Sequence, residues 1–475
     1  MKNTRKTKII ATLGPSCSTP QTIEEMMLSG VDVFRINFSH ANHSEIEKII
    51  STIRSLNKKN NYYTSILADL QGPKLRIGNI DEDVNIIKDD ILEFCSEKKF
   101  TGNNKRVYVK YKKFAKDVKI GEKLLIDDGK LIFEILETDN ECTVKARVIQ
   151  GGPLFSKKGI NLPNTKISLP ALTEKDFEDA IFSINQKVDW VALSFVRNGN
   201  DLIELKKIIQ EKSNHKIPII SKIEKPEALE NIDEIIANSD GIMVARGDLG
   251  VEVSAAKVPL IQKQLVNKSK KARIPVIIAT QMMEGMIKSL TPTRAEVNDV
   301  ANSVMDGADA VMLSGETSVG MYPIKVVNEM SSILKTVENS PLIKVPQSPP
   351  SVRSKRYITK SICYHAANMA NEIDATAICT LTNSGYTAFQ ISAWRPKANI
   401  LVFTSNELIL SQLNLLWGVK AFYYDKFEST DKTVEQVNSI ALKNNFVNKG
   451  DMLINLAAMP VKKKGMVNTL RISKI

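Results

Sequence analysis

The chain contains few of the residues that build disulfide frameworks and soft-metal sites. Its 475 residues include five cysteines and four histidines. The cysteines are widely spaced and form no CxxC pair, at Cys17, Cys95, Cys142, Cys363 and Cys379. This usage excludes a disulfide framework and a thiolate zinc site, and the scarcity of histidine argues against a His-rich metal site. A reducing cytoplasm is the simplest compartment for such a chain.

Long apolar runs are also missing. The longest unbroken ones, such as Pro275–Ala279 and Ala310–Leu313, are far shorter than the ~20 residues that a membrane-spanning helix needs. The basic N-terminus is followed only by the short run Ile9–Leu13 and then by glycine and proline, so it has no signal-peptide core. We therefore expect a cytoplasmic protein that has no membrane partner.

The chain carries an excess of positive charge. Lys and Arg number 65 against 53 Asp and Glu, which gives a net charge of +12, and most of the excess lies beyond residue 344. A nucleic-acid binder would carry such an excess, and so would a globular protein with a solvated, lysine-rich surface. We favour the solvated surface and expect no nucleic-acid partner. Apolar residues at 43% and charged residues at 25% are typical of globular proteins, and the length suits about three domains.

Short β-branched apolar runs alternate with helix-like segments over most of the first 340 residues. In segments such as Pro20–Leu28 and Val258–Lys271, apolar residues recur at three- and four-residue steps, as in amphipathic helices. The runs are Lys8–Leu13, Val31–Asn37, Thr64–Asp69, Val188–Ser194, Ile217–Lys222, Gly241–Ala245, Ile274–Thr280 and Ala308–Ser314. Eight strands, each followed by a helix, predict an α/β fold, the closed (β/α)8 TIM barrel; an open doubly wound sheet is the alternative.

The alternation breaks between Gly72 and Pro170. Runs such as Leu131–Leu136 and Thr143–Ile149 indicate short strands and hairpins, and therefore an all-β lid domain inserted after the third barrel strand. Four prolines around Pro341–Pro350 indicate a linker, after which strands and helices alternate again. We predict a barrel domain of residues 1–72 and 171–340, an inserted β-barrel lid of residues 73–170 and a C-terminal α/β domain of residues 350–475.

Polar and charged residues collect where the predicted barrel strands end. In (β/α)8 enzymes the loops after the strands carry the chemistry, so these residues are candidates for an active site. They are Arg35, Asn37, Ser39, His40, Asp69, Lys74, Arg76, Ser194, Arg197, Lys222, Glu224, Arg246, Gly247, Asp248, Thr280, Gln281, Ser314, Glu316 and Thr317. Any one of them has an alternative interpretation as a capping residue, but a purely structural barrel has no reason to gather the whole set on one rim.

The composition of this set indicates a reaction class. Glu224 and Asp248, from adjacent strand ends, suit a hard divalent cation such as Mg²⁺ or Mn²⁺. Arg35, Arg76 and Lys222 supply the positive charge that a phosphoryl group and its transition state need. The sequence has no Walker loop and no Gly-rich protein-kinase signature. The residues therefore predict a phosphotransferase of another lineage.

Several specific blocks of residues occur in order along the chain. They are Thr7-Lys8-Ile9, Gly14-Pro15-Ser16, Phe34-Arg35-Ile36-Asn37-Phe38-Ser39-His40, Asp69-Leu70-Gln71-Gly72-Pro73-Lys74-Leu75-Arg76, Ser221-Lys222-Ile223-Glu224, Ala245-Arg246-Gly247-Asp248-Leu249-Gly250, Ala279-Thr280-Gln281-Met282-Met283-Glu284 and Pro292-Thr293-Arg294-Ala295-Glu296. In these blocks, and along essentially its whole length, the chain resembles the pyruvate kinase family.

The resemblance implies transfer of the phosphoryl group of phosphoenolpyruvate to ADP, which gives pyruvate and ATP in the last step of glycolysis, with Mg²⁺ or Mn²⁺ as cofactor. It implies catalytic roles for Lys222, Thr280 and Arg35. It assigns substrate binding to Arg35, Lys222, Gly247, Asp248 and Thr280. It assigns the divalent cation to Glu224 and Asp248. It assigns nucleotide contacts to Asn37, His40, Arg76 and Lys158.

The monovalent-cation site of the family shows one departure. The resemblance places that site at Asn37, Ser39, Asp69 and the carbonyl of Leu70. Potassium-dependent members usually have Glu at the position of Lys74, and Thr-Lys at Leu70-Gln71. Because the Lys74 ammonium could occupy the charge position that K⁺ fills, we expect activity that does not require K⁺. A solvated Lys74 beside a retained K⁺ site is the alternative.

The C-terminal domain resembles the family's regulatory domain. Hydroxyls and backbone N–H groups would hold a phosphorylated effector at Thr382, Asn383, Ser384, Gly385 and Thr387. Lys462–Lys464 would add positive charge, whereas Tyr386 stands where family members often carry a cation. A Ser/Thr helix cap with a solvated lysine run is the alternative. The resemblance also implies a homotetramer.

Two other functions compete with the phosphotransferase. A carbon–carbon lyase on a similar phosphoenolpyruvate-binding barrel would need no nucleotide, so the lid with Arg76 and Lys158 opposes it. A basic RNA-binding or regulatory protein on a retired enzyme scaffold would have no use for the catalytic set. The presence together of Lys222, Glu224 and Asp248 opposes that second alternative.

Overall fold

The computed structural model describes residues 5–39, 42–163, 165–340, 343, 349–352, 354–426, 428–459 and 466–475. Its first elements alternate between strand and helix: β1 (Lys8–Thr12), α1 (Pro20–Ser29), β2 (Val33–Asn37), α2 (His43–Asn60) and β3 (Ser65–Asp69). Local sequence sets their ends. The Thr19 side chain accepts a hydrogen bond from Thr22 N at the start of α1, and Gly30 ends that helix with a φ of 115°.

An all-β segment interrupts this alternation after β3. Its elements are β4 (Asn85–Ile86), β5 (Ile91–Cys95), β6 (Arg106–Tyr108), α3 (Phe114–Asp117), β7 (Lys123–Ile126), β8 (Leu131–Thr138), β9 (Thr143–Gln150), β10 (Gly152–Pro153) and β11 (Ile160–Asn161). Six of the strands form one sheet in the order β11-β7-β8-β9-β5-β6. Alternate residues such as Phe133, Ile135 and Val144 are buried in a core that belongs to this segment alone. This segment, the lid, is therefore a folded unit of its own.

The alternation resumes after the lid and closes a barrel. The elements are α4 (Glu174–Asn185), β12 (Trp190–Leu193), α5 (Gly199–Lys212), β13 (Ile219–Ile223), α6 (Pro226–Glu230), α7 (Ile232–Asn238), β14 (Gly241–Ala245), α8 (Arg246–Glu252), α9 (Val258–Ala272), β15 (Val276–Ala279), α10 (Arg294–Asp306), β16 (Ala310–Leu313), α11 (Gly315–Ser318) and α12 (Pro323–Glu338). Eight parallel strands close in the order β1-β16-β15-β14-β13-β12-β3-β2. This closure confirms the (β/α)8 barrel and excludes the open sheet.

The C-terminal segment folds as an α/β domain. Its elements are α13 (Tyr357–Glu372), β17 (Ala377–Leu381), α14 (Tyr386–Ala393), β18 (Asn399–Thr404), α15 (Glu407–Gln412), β19 (Val419–Tyr423), α16 (Thr430–Lys443), β20 (Met452–Ala457) and β21 (Thr469–Lys474). The sheet order is β19-β18-β17-β20-β21, with β21 antiparallel to β20. The apolar pattern predicts β17, β18 and β20 but misses the edge strands β19 and β21, because most of their side chains are exposed or half-buried. The exact bounds that we give the three domains stay a prediction.

The C-terminal domain closes the end of the barrel at which the strands begin. Leu415 is fully buried in the inner cluster of the barrel, beside Trp190. The indole Nε1 of Trp190 donates to Gln412 O over 3.1 Å. Arg395 Nη1 and Asp309 Oδ1 form a buried ion pair at 2.9 Å across the same interface. The opposite end, where the strands finish, is left for the lid. Among the described residues, no helix is long and apolar enough to cross a membrane.

Candidate active site

Alternation along the barrel strands brings a layer of polar side chains to the mouth. In a strand, residues two apart point to the same side. The inner cluster of the barrel includes Ile10, Val33, Leu67, Ala192 and Ile220. Two positions further along each strand, the chain has Thr12, Arg35, Asp69, Ser194 and Lys222. Sequence reasoning assigned roles to Arg35, Asp69 and Lys222 and included Ser194 among the strand-end candidates, but it missed Thr12, which the two-residue step would have found.

Lys222 lies at the centre of this layer. Its Nζ donates to Ser194 Oγ over 2.6 Å, and it lies 3.2 Å from Asp69 Oδ1 and 3.1 Å from Glu224 Oε1. Burial opposes its charge, but the carboxylates of Asp69 and Glu224 outweigh burial and raise the pKa of Lys222 above its ordinary value. The ammonium is therefore charged at neutral pH and held from several sides.

Arg35 and Asp69 form a second ion pair next to Lys222. Arg35 Nε lies 2.6 Å from Asp69 Oδ2, and Arg35 Nη1 donates to Thr12 Oγ1 over 3.0 Å. Burial works to raise the pKa of Asp69, but Lys222 and Arg35 more than offset it, and the pKa is lowered. One ionised carboxylate thus orders two cations, an arrangement that suits an anionic group at the mouth.

Glu224 and Asp248 follow neighbouring strands, β13 and β14. Glu224 is fully buried, and its Oε2 accepts from Phe195 N over 2.6 Å. Its Oε1 forms the 3.1 Å ion pair with Lys222 Nζ and has no other hydrogen-bond partner among the described residues. Burial raises the pKa of Glu224 against the opposing charge of Lys222, and repulsion from Asp248 adds to the rise. A buried carboxylate with a second carboxylate close enough to repel it suits a hard divalent cation.

The protein supplies only part of a coordination sphere at this place. Within the described residues, no group of three or more His, Cys, Asp or Glu side chains is arranged to hold a metal ion. Mg²⁺ is commonly bound through one or two carboxylates, with water and substrate oxygens as its other ligands. Glu224 and Asp248 fit that mode of binding.

Thr280 occupies a strained position directly after β15. Its φ is 69° and that of Gln281 is 54°, in the left-handed region that β-branched residues rarely adopt. The Thr280 hydroxyl accepts from Gly247 N over 2.7 Å and donates to Ala279 O over 2.6 Å. The strain fixes this hydroxyl against the first turn of α8, which carries Asp248. Backbone strain of this kind is concentrated at functional sites.

Lys74 forms its ion pair with Asp248. Its Nζ is 3.2 Å from Asp248 Oδ1, and the described residues contain no ion pair between Lys74 and Asp69. The reason is electrostatic: Asp69 is already shared by Arg35 and Lys222, whereas Asp248 offers a carboxylate that a long lysine can reach from the lid. The ammonium therefore stands beside the proposed divalent site.

The other groups predicted for the monovalent cation make hydrogen bonds of their own. Asn37 Oδ1 accepts from Ser39 N over 3.1 Å, and the Leu70 carbonyl accepts from Ser194 Oγ over 2.7 Å. Both acceptors can take further ligands, since a carbonyl oxygen has two lone pairs. His40, which we predicted to contact the nucleotide, lies outside the described residues.

The two cations predicted for the nucleotide lie on neighbouring backbone segments of the lid. Arg76 pairs with Gly159 in an antiparallel bridge, and Arg76 Nη1 donates to Lys157 O over 3.1 Å. Lys158 Nζ lies 2.8 Å from Asp127 Oδ1, and about a third of the Lys158 side chain remains exposed, at 36%. Pairing thus places the backbones of Arg76 and Lys158 on adjacent segments, although the residues are far apart in sequence.

The loop predicted for an effector lies between β17 and α14. Thr382 Oγ1 accepts from Gly385 N over 3.0 Å, and Thr387 is buried. The Arg356 guanidinium lies 4.6 Å from the ring centre of Tyr386, so a cation is present where the sequence of the loop itself has none. The remaining residues of this prediction are exposed, namely Asn383 and Ser384, or lie outside the described residues, namely Lys462–Lys464.

Comparison with known families decides the assignment. The family model described as "Pyruvate kinase, barrel domain" matches residues 4–327, and the one described as "Pyruvate kinase, alpha/beta domain" matches residues 360–473. The chain belongs to the pyruvate kinase family. It is therefore a phosphotransferase, and membership of the pyruvate kinase family implies phosphoenolpyruvate and ADP as its substrates.

Relatives of the pyruvate kinase family match the chain from end to end. It is 40% identical over 468 residues to pyruvate kinase of Corynebacterium glutamicum, which covers 98% of this chain and 97% of the relative. It is 38% identical over 472 residues to pyruvate kinase of Geobacillus stearothermophilus, with 99% of this chain and 80% of the relative covered. The crystal structure of a pyruvate kinase from Cryptosporidium parvum superposes with a TM-score of 0.91 at 33% identity and covers 99% of this chain and 96% of that one. The lyase and RNA-binding alternatives find no support.

Proposed function

We propose that the barrel mouth transfers the phosphoryl group of phosphoenolpyruvate to ADP with Lys222 as the central catalytic residue. The observation that carries this proposal is the Lys222 ammonium, held by Asp69, Glu224 and Ser194 where the strands end. A cation that is fixed in advance stabilises the charge of a phosphoryl group in transit without reorganising during the reaction. Removal of such a group is expected to affect turnover more than binding.

The remaining rim residues would orient phosphoenolpyruvate. The Arg35 guanidinium, oriented by Asp69, offers a planar donor pair that matches a phosphate or carboxylate. Gly247, Asp248 and Thr280 would hold the other side of the substrate. Once the phosphoryl group has left, the enolate must gain a proton, and we assign its delivery to the side of Thr280, through water.

Glu224 and Asp248 would hold Mg²⁺ or Mn²⁺, which when bound would neutralise phosphoryl oxygens. Arg76 and Lys158, on the lid, would take the nucleotide phosphates, together with Asn37 and His40. Closure of the lid would exclude water, and with it the hydrolysis of the phosphoryl donor.

A coupled assay that follows pyruvate tests this function. We expect pyruvate formation to need phosphoenolpyruvate, ADP and a divalent cation together, and to stop when EDTA is added. Pyruvate formation without ADP would identify a phosphatase or lyase and would contradict the proposal. Formation that EDTA leaves unchanged would contradict the roles of Glu224 and Asp248.

We also propose that activity does not require K⁺. Two observations support this: Asp69 is already paired with two cations, and Lys74 places a positive charge on the rim, in an ion pair with Asp248. Turnover in buffer free of Na⁺ and K⁺ is therefore expected to match turnover in KCl. Lys74→Glu is expected to make turnover depend on K⁺, whereas Lys98→Glu, an exposed lid lysine, should not. A collapse of the parent in K⁺-free buffer that KCl restores would overturn the idea.

For the C-terminal domain, we propose a phosphorylated effector at the loop of residues 382–387. The Thr382 hydroxyl and the exposed Asn383 and Ser384 are free to turn toward a phosphate. Titration of sugar phosphates and nucleotides against the coupled assay is expected to reveal one that changes turnover at limiting phosphoenolpyruvate, and Ser384→Ala should weaken that response. A response that survives Ser384→Ala and Thr382→Ala unchanged would place the effector elsewhere.

We propose, finally, that the chain works as a homotetramer, as the family resemblance implies. Light scattering coupled to gel filtration is expected to give a mass four times that of the 52.8 kDa chain. A monomer or dimer that is fully active at assay concentration would contradict this proposal.

A further inference from the structure

A buried polar cluster joins the base of the lid to the helix that carries Asp248. Glu252, the last residue of α8, is 4% exposed, and its Oε1 accepts from Asn161 Nδ2 over 2.9 Å and from Lys225 Nζ over 2.7 Å. Asn161 belongs to β11, the final strand of the lid, and Lys225 directly follows Glu224. We call Asn161, Lys225 and Glu252 the hinge cluster. Three separate parts of the chain thus meet at a single carboxylate oxygen.

Local preferences do not account for a buried Glu252. At the C-terminal end of a helix, a carboxylate faces the negative end of the helix dipole. Burial adds a desolvation cost, which the Lys225 ammonium offsets only because the two groups are in hydrogen-bond contact. A well-packed apolar side chain would fill the same place without that cost. Stability therefore does not explain why these polar residues are buried here, and a role in positioning the lid explains it better.

The hinge cluster also has unused hydrogen-bonding capacity beside a small cavity. Asn161 Oδ1 and Glu252 Oε2 are buried and have no hydrogen-bond partner among the described residues. Both residues line a cavity of about 30 Å³ between the lid and the barrel, together with Lys225 and Lys74. The cavity is lined by apolar as well as polar side chains, and a volume of this size has room for one or two waters next to the two unpaired oxygens. Such waters would extend the contact between lid and barrel toward Lys74, which reaches Asp248.

We propose that the hinge cluster sets the position of the lid over the barrel mouth. Asn161 lies three residues after Lys158, in the segment that pairs with Arg76. Anchoring Asn161 to Glu252 therefore fixes where the two lid cations stand relative to Asp248. The members of the hinge cluster are positioning residues, since they act through Lys158 and Arg76. The inference rests on the proposed role of those two cations in nucleotide binding.

Charge-matched variants test the inference in the coupled assay. Glu252→Gln leaves Lys225 as a buried cation without a carboxylate, and Lys225→Met leaves Glu252 without its cation. The double variant is neutral, and its Gln oxygen can still accept from Asn161. We expect the KM for ADP to rise about tenfold in each single variant and to return to within about twofold of the parent in the double variant, while the KM for phosphoenolpyruvate changes less than about twofold.

Asn161→Ala tests the lid side of the contact without a change of charge. We expect the KM for ADP to rise about fivefold, with kcat at saturating ADP and the melting temperature close to those of the parent. Asn104→Ala, at an exposed lid position, is the matched control and should leave both KM values unchanged. An unchanged KM for ADP in Asn161→Ala, or equal losses for both substrates without recovery in the double variant, would make the cluster a packing feature and overturn the inference. Failure of the parent itself to need ADP would instead contradict the proposed function.

Discussion

At the scale of single residues, the site depends on flexible side chains that are held by several partners. Ordering a lysine costs side-chain entropy, so one surface contact rarely fixes its ammonium. Lys222 is held in one orientation despite this entropy cost, because it is buried and contacts Asp69, Glu224 and Ser194 at once. Asp69 in turn gives one oxygen to Lys222 and the other to Arg35. A single carboxylate thus coordinates the orientation of both cations.

Lys222→Met removes the ammonium and keeps most of the side-chain volume. We expect turnover in the coupled assay to fall at least about a hundredfold, since a preorganised charge at the transition state is lost. Mn²⁺ affinity, measured by titration calorimetry, should not weaken, because the loss of Lys222 leaves Glu224 with less competing positive charge. Lys216→Met, whose side chain is 75% exposed, is the control and should keep parental turnover. An active Lys222→Met enzyme would remove Lys222 from the catalytic set.

Lys8 is a second buried lysine, and it lies where β1 meets the C-terminal domain. Its Nζ donates to Val419 O over 2.9 Å and lies 3.6 Å from Asp32 Oδ1. Burial, opposed by Asp32, lowers the pKa of Lys8 to about 7. Between that pH and the ordinary lysine pKa of 10.5, the unfolded chain binds more protons than the folded one. The stability of the parent therefore rises with pH across this window as far as Lys8 determines it.

Lys8→Met has no titrating group at this position, so the contribution of Lys8 to the pH dependence of stability is absent from the variant. We expect the difference in melting temperature between parent and variant to shift in favour of the parent as the pH rises from about 7 to about 9.5. Differential scanning fluorimetry at matched ionic strength measures it. Parallel pH profiles for the two proteins would show that Lys8 does not titrate in this range.

At the scale of elements, the connections between barrel and lid are as constrained as the strands. Gly72, just after β3, has a φ of 70°, and its N–H donates to Asp176 Oδ1 over 2.9 Å at the start of α4. A Cβ at this position would come within 2.9 Å of Ser194 Cβ and of Phe195 Cδ2. Ser194 is the residue that receives the hydrogen bond of Lys222. The conformation of the first lid connection therefore affects the position of Ser194 directly and that of Lys222 through Ser194.

Gly72→Ala should affect turnover more than stability. The added methyl group would push Ser194 away from Lys222, so we expect kcat to fall about tenfold. Gly121→Ala is a matched control, because Gly121 has a φ of 84° but no atom within 4 Å of the added Cβ. Its backbone strain should lower the melting temperature slightly and leave kcat unchanged. Equal kcat values for the two variants would contradict the proposed contact.

Elements with a continuous local pattern are the ones that could be predicted from the sequence. The eight barrel strands are runs dominated by apolar residues, because a parallel barrel buries both faces of its strands; only β2 and β13 are interrupted, by Arg35 and by Ser221-Lys222. The edge strands β19 and β21 were missed because they lack such a run. In the site, the residues at the strand ends were predictable, but the partner of Lys74 was not. The choice between Asp69 and Asp248 depends on which carboxylate is already paired in the folded protein, and that is a tertiary property.

At the scale of the whole molecule, the lid and the C-terminal domain meet the barrel at its two ends. The lid stands over the mouth through Lys74 and the hinge cluster. The C-terminal domain closes the other end, where Leu415 is buried among residues of the barrel interior and Trp190 bonds to Gln412. The loop proposed for an effector packs close to Leu415 in the chain, since a Cβ on Gly385 would come within 2.9 Å of Leu413 Cδ2.

Leu415→Ala is therefore expected to loosen two domains at once. The residue is fully buried, and such truncations cost about 2–5 kcal/mol through lost burial and the cavity left behind. Because that cavity would open inside the barrel, hydrogen exchange should accelerate in peptides that cover β12 as well as in those that cover β18 and β19. Leu408→Ala, whose side chain is 43% exposed on α15, is the control and should leave exchange in β12 unchanged. Faster exchange confined to the C-terminal domain would mean that Leu415 stabilises its own domain and does not couple it to the barrel.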